Sequence, residues 1–391
     1  MNVLFISNSD DKFGAPKSML EMIKVLQREQ DITPIVLTPT HNNINKICDQ
    51  LNIENYSTKY YSFMYLKKSS SVLSFCKDFL RPVGYTFFNK VAIKKINNAI
   101  NLSKVDLVHT NISIMDIGAE IGKKYDIPHV WHLREFGQED FNLKSSRRRF
   151  IHYMNKNTNQ FFAISEAVKK SWVKKGIQKE KIQVIYNGIN KEKFSVPREQ
   201  NSKKEKLRLV FSGSLAEHKG QINLLEALTY LPKEVKDCIQ VDFIGSGAET
   251  YEVFLKEKVQ RYRLEDNINF LGYKEDIYKL LPNYDIGIVC SKSEGFGRVT
   301  VEYMMAGLCV IVSNTGANEE IVDNQKNGLV YKYNDNKDLA EKIKFLYYNQ
   351  VTISDYGILA RKKAVEEFTS EMNANEVYKS YNQVLLEEKG I

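Results

Sequence analysis

The chain has 391 residues and a mass of 45.3 kDa, enough for two or three domains of ordinary size. Hydrophobic residues make up 43% of it and charged residues 27%, which excludes a disordered or fibrous protein. No apolar segment approaches the roughly 20 residues of a membrane span. The apolar run at 3–6 is too short for a signal peptide. Five cysteines without a Cys-x-x-Cys pair fit a reducing compartment, so we expect a cytoplasmic globular protein.

The charge is unevenly distributed along the chain. Residues 1–200 contain 31 Lys and Arg against 19 Asp and Glu, a net charge of +12, whereas the remaining residues have 25 against 29, a net charge of −4. A basic half joined to a mildly acidic half indicates that one half meets a polyanion. Nucleic acids, anionic lipids and phosphate-bearing substrates all belong to that class.

Short apolar segments alternate with amphipathic ones throughout, which is typical of parallel sheets covered by helices on both faces. In the first half a helix is predicted at 16–29, where Met19, Met22, Ile23 and Leu26 fall on one face. The strands predicted in this half are 3–7, 35–38, 106–110, 129–133, 161–165 and 183–186.

A polar stretch at 190–206 predicts a linker between an N-terminal domain at 1–189 and a C-terminal domain at 207–370. A last amphipathic helix within 371–391 has no strand after it, and we expect it to pack back toward the N-terminal domain. Helices are also predicted at 221–231, 251–262 and 299–306, and strands at 209–212, 241–245, 268–271, 286–290, 310–313 and 329–333.

This order predicts an α/β fold with two Rossmann-like, doubly wound domains that face each other across a cleft. Ligands of such sheets bind in crevices at the carboxyl ends of the strands. We therefore expect the active site to lie between the two domains.

The most informative motif is the segment 293–302, which joins a predicted strand to a predicted helix. Glu294 lies on its glycine-rich loop, and Glu302 follows eight positions later on the helix. Carboxylates accept hydrogen bonds from vicinal hydroxyls, as in a sugar or a ribose, and a helix N-terminus favours an anion. The alternative is a solvated loop followed by an Arg298–Glu302 salt bridge within the helix.

Two further positions point to a ligand. Gly213 follows a predicted strand and Lys219 precedes a helix, an arrangement suited to a diphosphate, although an exposed surface lysine is the default for such a segment. His132 lies near the end of the strand 129–133, where α/β sheets place ligand-facing side chains. The alternative for His132 is a satisfied buried polar group, which is our interpretation of His109.

Together these residues resemble the retaining, nucleotide-sugar-dependent glycosyltransferases of family 4, with the GT-B fold, along nearly the whole chain. The resemblance rests on the two glutamates, the 213–220 loop, the segments 164–168 and 184–188, and His132 after 127–128. It implies that Glu294 contacts the donor sugar, Glu302 the ribose, Lys219 the diphosphate and His132 the transferred sugar. It implies His132, Glu294 and Lys219 as catalytic residues and, as donor-binding residues, Gly14, Gly213, Ser214, Tyr273, Gly295, Phe296, Gly297, Arg298, Thr300 and Glu302.

The chain departs from the family pattern in three places. Ser214 stands where an arginine usually follows the glycine of the diphosphate loop, Phe13-Gly14 replaces a Gly-Gly pair, and Cys309 replaces a proline. Our hypothesis is that Arg298 supplies the missing positive charge, with Arg134 as the second candidate.

The expected chemistry is sugar transfer from a nucleotide-diphosphate donor, such as a UDP- or GDP-sugar, to a saccharide acceptor. Negative charge accumulates on the departing diphosphate and must be stabilised. Because the sequence has no Asp-x-Asp to hold a divalent metal, we predict a metal-independent reaction without a cofactor. The resemblance favours front-face retention of configuration.

The segment 59–95 carries eight basic residues against one acid, interleaved with nine aromatic residues. Such a composition suits an interfacial surface that docks on anionic lipid, and predicts a lipid-linked acceptor at the inner face of a membrane, as in surface-polysaccharide synthesis. The alternative is a solvated basic face over a buried aromatic stripe. The residues assigned to this acceptor or membrane face are Lys67, Lys68, Arg81, Arg147 and Arg148.

Three other functions remain open at this point. An epimerase or phosphorylase of the same architecture is disfavoured by the double-glutamate motif. A non-catalytic partner subunit is kept open by Ser214 and the absent Gly-Gly pair. A nucleic-acid-binding protein would use the basic half, but no helix-turn-helix, RNA-recognition or zinc-finger pattern is present, so we expect no nucleic acid partner.

Overall fold

A computed structural model describes residues 1–8, 14–66, 72–137, 143–147, 149–194 and 206–390, without the side chains of 66, 72–83, 143 and 144. The chain divides into two compact units. The first unit comprises Met1–Gly188 together with Ser370–Ile391, and the second comprises Ile189–Thr369. Most of the predicted linker lies outside the described residues.

The first unit contains nine strands. They are β1 (Asn2–Ile6), β2 (Thr33–Thr38), β3 (Glu54–Ser57), β4 (Met64–Leu66), β5 (Leu107–Thr110), β6 (His129–Leu133), β7 (Leu143–Ser145), β8 (Gln160–Ala163) and β9 (Ile182–Val184). Seven of them form a parallel sheet in the order β3-β2-β1-β5-β6-β8-β9, while β4 and β7 pair antiparallel. The order reverses direction between β1 and β5, which is where ligands enter such sheets.

Helices cover both faces of this sheet. They are α1 (Gly14–Glu29), α2 (Asn43–Gln50), α3 (Val72–Ala99), α4 (Ile117–Tyr125), α5 (Phe150–Lys156) and α6 (Glu166–Lys174). Burial on both faces explains why residues 3–6 of strand β1 are all apolar. Val3 and Phe5 enter one core, whereas Leu4 and Ile6 enter the core on the opposite face. Alternate side chains of a strand point to opposite faces, so a sheet covered twice needs both sets apolar.

The second unit is built on a six-stranded parallel sheet. Its strands are β10 (Leu207–Ser212), β11 (Ile239–Ile244), β12 (Ile268–Phe270), β13 (Ile286–Val289), β14 (Cys309–Ser313) and β15 (Leu329–Tyr331), in the order β12-β11-β10-β13-β14-β15. Its helices are α7 (Gln221–Thr229), α8 (Lys233–Lys236), α9 (Glu249–Tyr262), α10 (Ile277–Leu280), α11 (Arg298–Met305), α12 (Asn318–Ile321), α13 (Asn336–Tyr348) and α14 (Gln350–Glu367). The direction of the strand order reverses between β10 and β13.

The last helix, α15 (Ser370–Glu388), belongs to the first unit. It packs against α1, and its buried face joins the core that also contains Val3 and Phe5. Full burial of each large apolar side chain contributes about 1.5–3 kcal/mol, so this helix is a substantial part of that core. The buried core residues on α15 are Ala374, Val377, Tyr381 and Val384.

The predicted α/β class with two doubly wound sheets is confirmed. Each strand predicted from the sequence has an observed counterpart, and β6 has the predicted bounds. Three short strands, β3, β4 and β7, were not predicted. Every helix within the described part of the chain is too short or too polar to cross a lipid bilayer.

Candidate active site

The loop after β10 and the loop after β13 lie side by side in the second unit. A short 3-10 helix, Glu217–Lys219, follows β10, and the amide of Lys292 donates to the carbonyl of His218 at 2.8 Å. Gly220 has φ +78° and lies so close to Cys290 that a Cβ would be 2.3 Å from its carbonyl oxygen. Only glycine permits this approach, which brings Lys219 next to the loop that carries Glu294.

Two ion pairs connect the predicted donor-binding residues. Lys219 Nζ lies 3.1 Å from Glu294 Oε2, and Arg298 Nε lies 3.1 Å from Glu302 Oε1. The side chains keep between 12% and 26% of their exposure, so both pairs are mostly withdrawn from water yet reachable. The salt bridge expected under the alternative interpretation is therefore present, but it is not a solvated surface pair.

The loop that carries Glu294 is fastened by the segment after β14. The carbonyl of Glu294 accepts the amide of Ala317 at 2.8 Å. Buried Thr300, on α11, donates its hydroxyl to Asn318 Oδ1 at 3.2 Å, and Asn318 Nδ2 in turn donates to the carbonyl of Ser313 at 3.0 Å. These bonds fix the Glu294 loop before any ligand arrives.

At Gly316 the segment after β14 approaches the Glu294 loop very closely. Its φ is +57°, and a Cβ there would lie 2.0 Å from the carbonyl oxygen of Glu294. We expect Gly316→Ala to destabilise the second unit by about 2–4 kcal/mol, because left-handed strain adds to an overlap with rigid backbone. Calorimetric unfolding measures the loss, and the KM for the donor expected from the sequence should rise as the loop shifts.

Gly307→Ala is the matched control for this change. Gly307 also has a positive φ, +76°, but a Cβ there would meet no atom within 4 Å. Only the strain of about 1–2 kcal/mol is expected, with an unchanged KM. Equal effects of the two substitutions would contradict the assigned contact.

The remaining donor-binding predictions in the second unit fall on the same edge of the sheet. Gly213, with φ +135°, donates its amide to Ile244, and Gly245 donates to Gly272, so the loops after β10, β11 and β12 are joined. Ser214 and Tyr273 are exposed, Tyr273 by 72%. Gly295 lies in the Glu294 loop, and Gly297, with φ +85°, caps α11.

The ring of Phe296, predicted to bind the donor, is buried inside the second unit. It is 3% exposed and packs edge-on against Phe368 at a centroid distance of 5.8 Å. Its side chain therefore supports the loop from within the unit, and the exposed positions around it are those available to a donor.

In the first unit, His132 lies near the carboxyl end of β6. It is fully buried, and its Nδ1 lies 3.2 Å from both His109 Nε2 and Arg134 Nη2. Its Nε2 is buried without a hydrogen-bond partner among the described residues. Burial lowers the pKa of His132 well below its usual range, and the positive charge of Arg134 lowers it further, so the ring is neutral.

Several polar residues at the same sheet edge were missed by the sequence analysis. Arg134 Nε donates to Asn111 Oδ1 at 2.7 Å, and its Nη1 donates to Asn187 Oδ1 at 2.5 Å. Ser7 Oγ and Asn8 Oδ1, which follow β1, are also buried without a partner among the described residues. A search for polar residues at or just after the end of each apolar strand would have found Ser7, Asn8, Asn111 and Asn187, whereas Arg134 was already a candidate cation.

Gly14, a predicted donor-binding residue, is the first residue of α1 and is exposed. The loop before it, which contains Phe13, lies outside the described residues. Within the described residues, no group of three or more His, Cys, Asp and Glu side chains is arranged to hold a metal ion.

Arg147, predicted to face an anionic surface, is paired with two carboxylates of its own unit. Its Nη2 lies 2.8 Å from Asp116 Oδ2 and 2.5 Å from Glu120 Oε1, and its guanidinium stacks over the ring of Tyr153. Asp116 is fully buried and also accepts the hydroxyl of Tyr85. Two carboxylates of the same unit therefore hold Arg147, and its assignment to a membrane face stays a prediction.

Three other residues of that predicted face, Lys67, Lys68 and Arg148, lie outside the described residues, as does the side chain of Arg81 on α3. The described end of α3 has a mixed surface. Phe87, Phe88 and Val91 are 62%, 50% and 39% exposed, and the lysines around them are exposed as well. These lysines are Lys90, Lys94 and Lys95.

Two family models match the chain. Glycosyltransferase Family 4 matches residues 14–193, and Glycosyl transferases group 1 matches residues 192–363. An uncharacterized glycosyltransferase of Methanocaldococcus jannaschii is 30% identical over 268 residues, which cover 66% of this chain and 70% of that protein. The N,N'-diacetylbacillosaminyl-diphospho-undecaprenol alpha-1,3-N-acetylgalactosaminyltransferase of Campylobacter jejuni is 25% identical over 252 residues, 59% of this chain and 62% of that enzyme.

Solved structures of other proteins share the fold of this chain. The crystal structure of Anabaena HepE in complex with UDP has a TM-score of 0.80 and 20% sequence identity, and the match covers 98% of this chain and 100% of that one. The complex of the same protein with UDP-glucose has a TM-score of 0.79 over equal shares of the two chains.

Proposed function

Because this chain belongs to the family 4, group 1 glycosyltransferases, we propose that it is a retaining, metal-independent enzyme that moves a sugar from a nucleotide-diphosphate donor to a saccharide acceptor. Two ion pairs at the carboxyl edge of one parallel sheet carry the proposal: Lys219–Glu294 joins two neighbouring loops, and Arg298–Glu302 lies on the helix α11 that follows one of them. Two cations and two carboxylates close together are the groups that a diphosphate and sugar hydroxyls would require, which supports this proposal.

In this proposal the C1–O bond to the diphosphate breaks while the acceptor oxygen forms its bond to C1 on the same face of the sugar. The acceptor proton passes to an oxygen of the leaving phosphate. Lys219 stabilises the negative charge on that phosphate, and Arg298 supplies the charge that Ser214 lacks. Glu294 and Glu302 bind the sugar and ribose hydroxyls, and His132 lies at the transferred sugar.

The donor class is supported by the Anabaena protein of the same fold, which was solved with UDP and with UDP-glucose. We expect release of a nucleoside diphosphate from one of the UDP-, GDP- or ADP-sugars, at a rate that EDTA does not change. The released nucleotide is measured by coupled assay, and NMR of the transfer product reads the anomeric configuration.

A purified protein that releases nucleotide only after magnesium or manganese is added back would overturn the metal-independent part of this proposal. Inversion at C1 would overturn retention. Failure with every donor class would favour the non-catalytic partner subunit.

The acceptor is proposed to be a lipid-linked saccharide. The exposed aromatic and aliphatic side chains Phe87, Phe88 and Val91 lie among lysines on α3, a composition that suits an anionic lipid surface. The Campylobacter jejuni relative, named for an undecaprenol-linked substrate, supports the same class.

We expect the protein to float with vesicles that contain phosphatidylglycerol at low salt, but not with pure phosphatidylcholine. Changing Lys90, Lys94 and Lys95 to glutamine should weaken partitioning roughly 100-fold, since each lysine near the surface contributes about 1 kcal/mol. The matched control changes three exposed lysines of the second unit to glutamine: Lys233, Lys256 and Lys337. Equal flotation of the two triple variants would argue against this surface.

A further inference from the structure

A continuous row of buried side chains connects the last helix of the chain to His132. The hydroxyl of Tyr381, on α15, bonds to His109 Nδ1, and His109 Nε2 lies 3.2 Å from His132 Nδ1. Arg134 Nη2 lies 3.2 Å from the same His132 nitrogen. Tyr381, His109 and His132 are fully buried and Arg134 is 7% exposed, so water does not replace these contacts.

The chemistry of Arg134 fixes where each proton lies. A guanidinium only donates, so His132 Nδ1 is an acceptor and the neutral ring carries its proton on Nε2. His109 Nε2 must then donate to His132 Nδ1, because two acceptors facing each other would not bond. His109 Nδ1 is consequently an acceptor, and the Tyr381 hydroxyl donates to it.

The row leaves one donor without an acceptor. His132 Nε2–H is buried and has no partner among the described residues. A buried donor left unpaired costs about 1–3 kcal/mol, so a ligand oxygen that accepts this bond would recover that free energy. Burial and Arg134 lower the pKa of both His109 and His132, which keeps the rings neutral and the direction of the bonds fixed.

We propose that Arg134 holds His132 in the tautomer that donates from Nε2 to an oxygen of the transferred sugar, and that His109 and Tyr381 are positioning residues that hold the His132 ring in place. The identity of that acceptor oxygen rests on the proposed function, whereas the tautomer does not. The consequence is that α15, at the far end of the chain, takes part in orienting a group on β6.

Tyr381→Phe tests this proposal, because it removes one hydroxyl and keeps the ring in the core. Without that hydroxyl, His109 Nδ1 has no partner in the row, and the His109 ring is held less firmly against His132. Because Arg134 still only donates to His132 Nδ1, we expect the His132 proton to stay on Nε2. We expect a fall of roughly tenfold in kcat, the effect of about one hydrogen bond, with KM for the acceptor unchanged.

The tautomer is read by long-range ¹H–¹⁵N NMR of protein labelled at histidine nitrogen, without any donor, with His132→Gln used for assignment. Tyr378→Phe is the matched control: this half-buried tyrosine is three residues earlier on the same helix and lies outside the row. It should leave both the tautomer and kcat unchanged.

A His132 proton on Nδ1 in the unaltered protein would overturn the proposal, even if Tyr381→Phe does not fold. So would a Tyr381→Phe protein with unchanged kcat. If the NMR spectra are as expected but no sugar donor is turned over, the proposed function fails while the positioning of His132 stands.

Discussion

Lys219→Gln is expected to lower kcat for sugar transfer by roughly 100- to 1000-fold, the usual effect of removing one preorganised donor from developing negative charge. Glutamine keeps much of the length of the side chain and removes its charge. Both side chains of the Lys219–Glu294 pair still reach water, at 26% and 17% exposure, so Glu294 can be solvated once its partner is neutral and the cost in folding should be small. The change should therefore affect the rate far more than the unfolding midpoint.

The matched control is Lys344→Gln. Lys344 pairs with Glu341 at 2.6 Å on the surface of α13, away from the strand ends. It should leave kcat within about twofold and cost no more stability than Lys219→Gln. A Lys219→Gln enzyme with near-normal turnover would exclude Lys219 as the diphosphate group. Arg298→Gln and Arg134→Gln, assayed beside it, would show which cation replaces the arginine that is absent at Ser214.

The first unit is expected to lose about 3–4 kcal/mol of stability between pH 7 and pH 5.5 through three buried histidines. Burial lowers the pKa of His129 to about 3 and the pKa values of His109 and His132 well below their usual range. Below pH 6.5 the unfolded chain binds protons at these sites and the folded unit does not. Stability therefore rises with pH over this window, by about 1 kcal/mol for each histidine.

The carboxyl group of Asp116 has the opposite effect on the pH dependence of stability. Burial raises the pKa of Asp116, an effect that Arg147 partly offsets. The folded unit retains a proton there that the unfolded chain loses as the pH rises, so Asp116 reduces stability above the usual carboxyl range. Histidine variants distinguish the contribution of the histidines from that of Asp116.

Urea unfolding at pH 5.5 and pH 7 measures the effect. The chain has two tryptophans, Trp131 and Trp172, and both are buried in the first unit, so their fluorescence reports that unit. His129→Gln should reduce the pH dependence by about a third, whereas His152→Gln, at an exposed histidine, should leave it unchanged. Stability that does not vary over this pH range would contradict the assignment.

The sheets were predictable because each core strand is buried on both faces. A strand such as β13, Ile-Gly-Ile-Val, then has no polar side chain to interrupt it, and its position can be read directly. Strand β3 lies at the sheet edge, half exposed, and its sequence Glu-Asn-Tyr-Ser has no apolar run to mark it. The strands β4 and β7 have only three residues each, too few for an alternation of polar and apolar side chains to be recognised.

The candidate site was predictable where its residues follow one strand in sequence. Glu294 and Lys219 each come after a buried strand, so their loops could be assigned to one edge of the sheet. The bond between His109 and Tyr381 joins residues 272 positions apart, and no local pattern marks it. Arg147 looked like part of a basic run because its partners, Asp116 and Glu120, lie about 30 positions earlier.

The first unit is discontinuous in sequence, and this affects how the protein is made. The ribosome must add all of Ile189–Thr369 after Gly188 before it reaches α15, which takes roughly 10 to 40 seconds at ordinary translation rates. During that time the nascent unit lacks Ala374, Val377 and Tyr381 and exposes the apolar surface of α1 that they cover. The second unit can form before α15 has been synthesised, but the first becomes complete only afterwards.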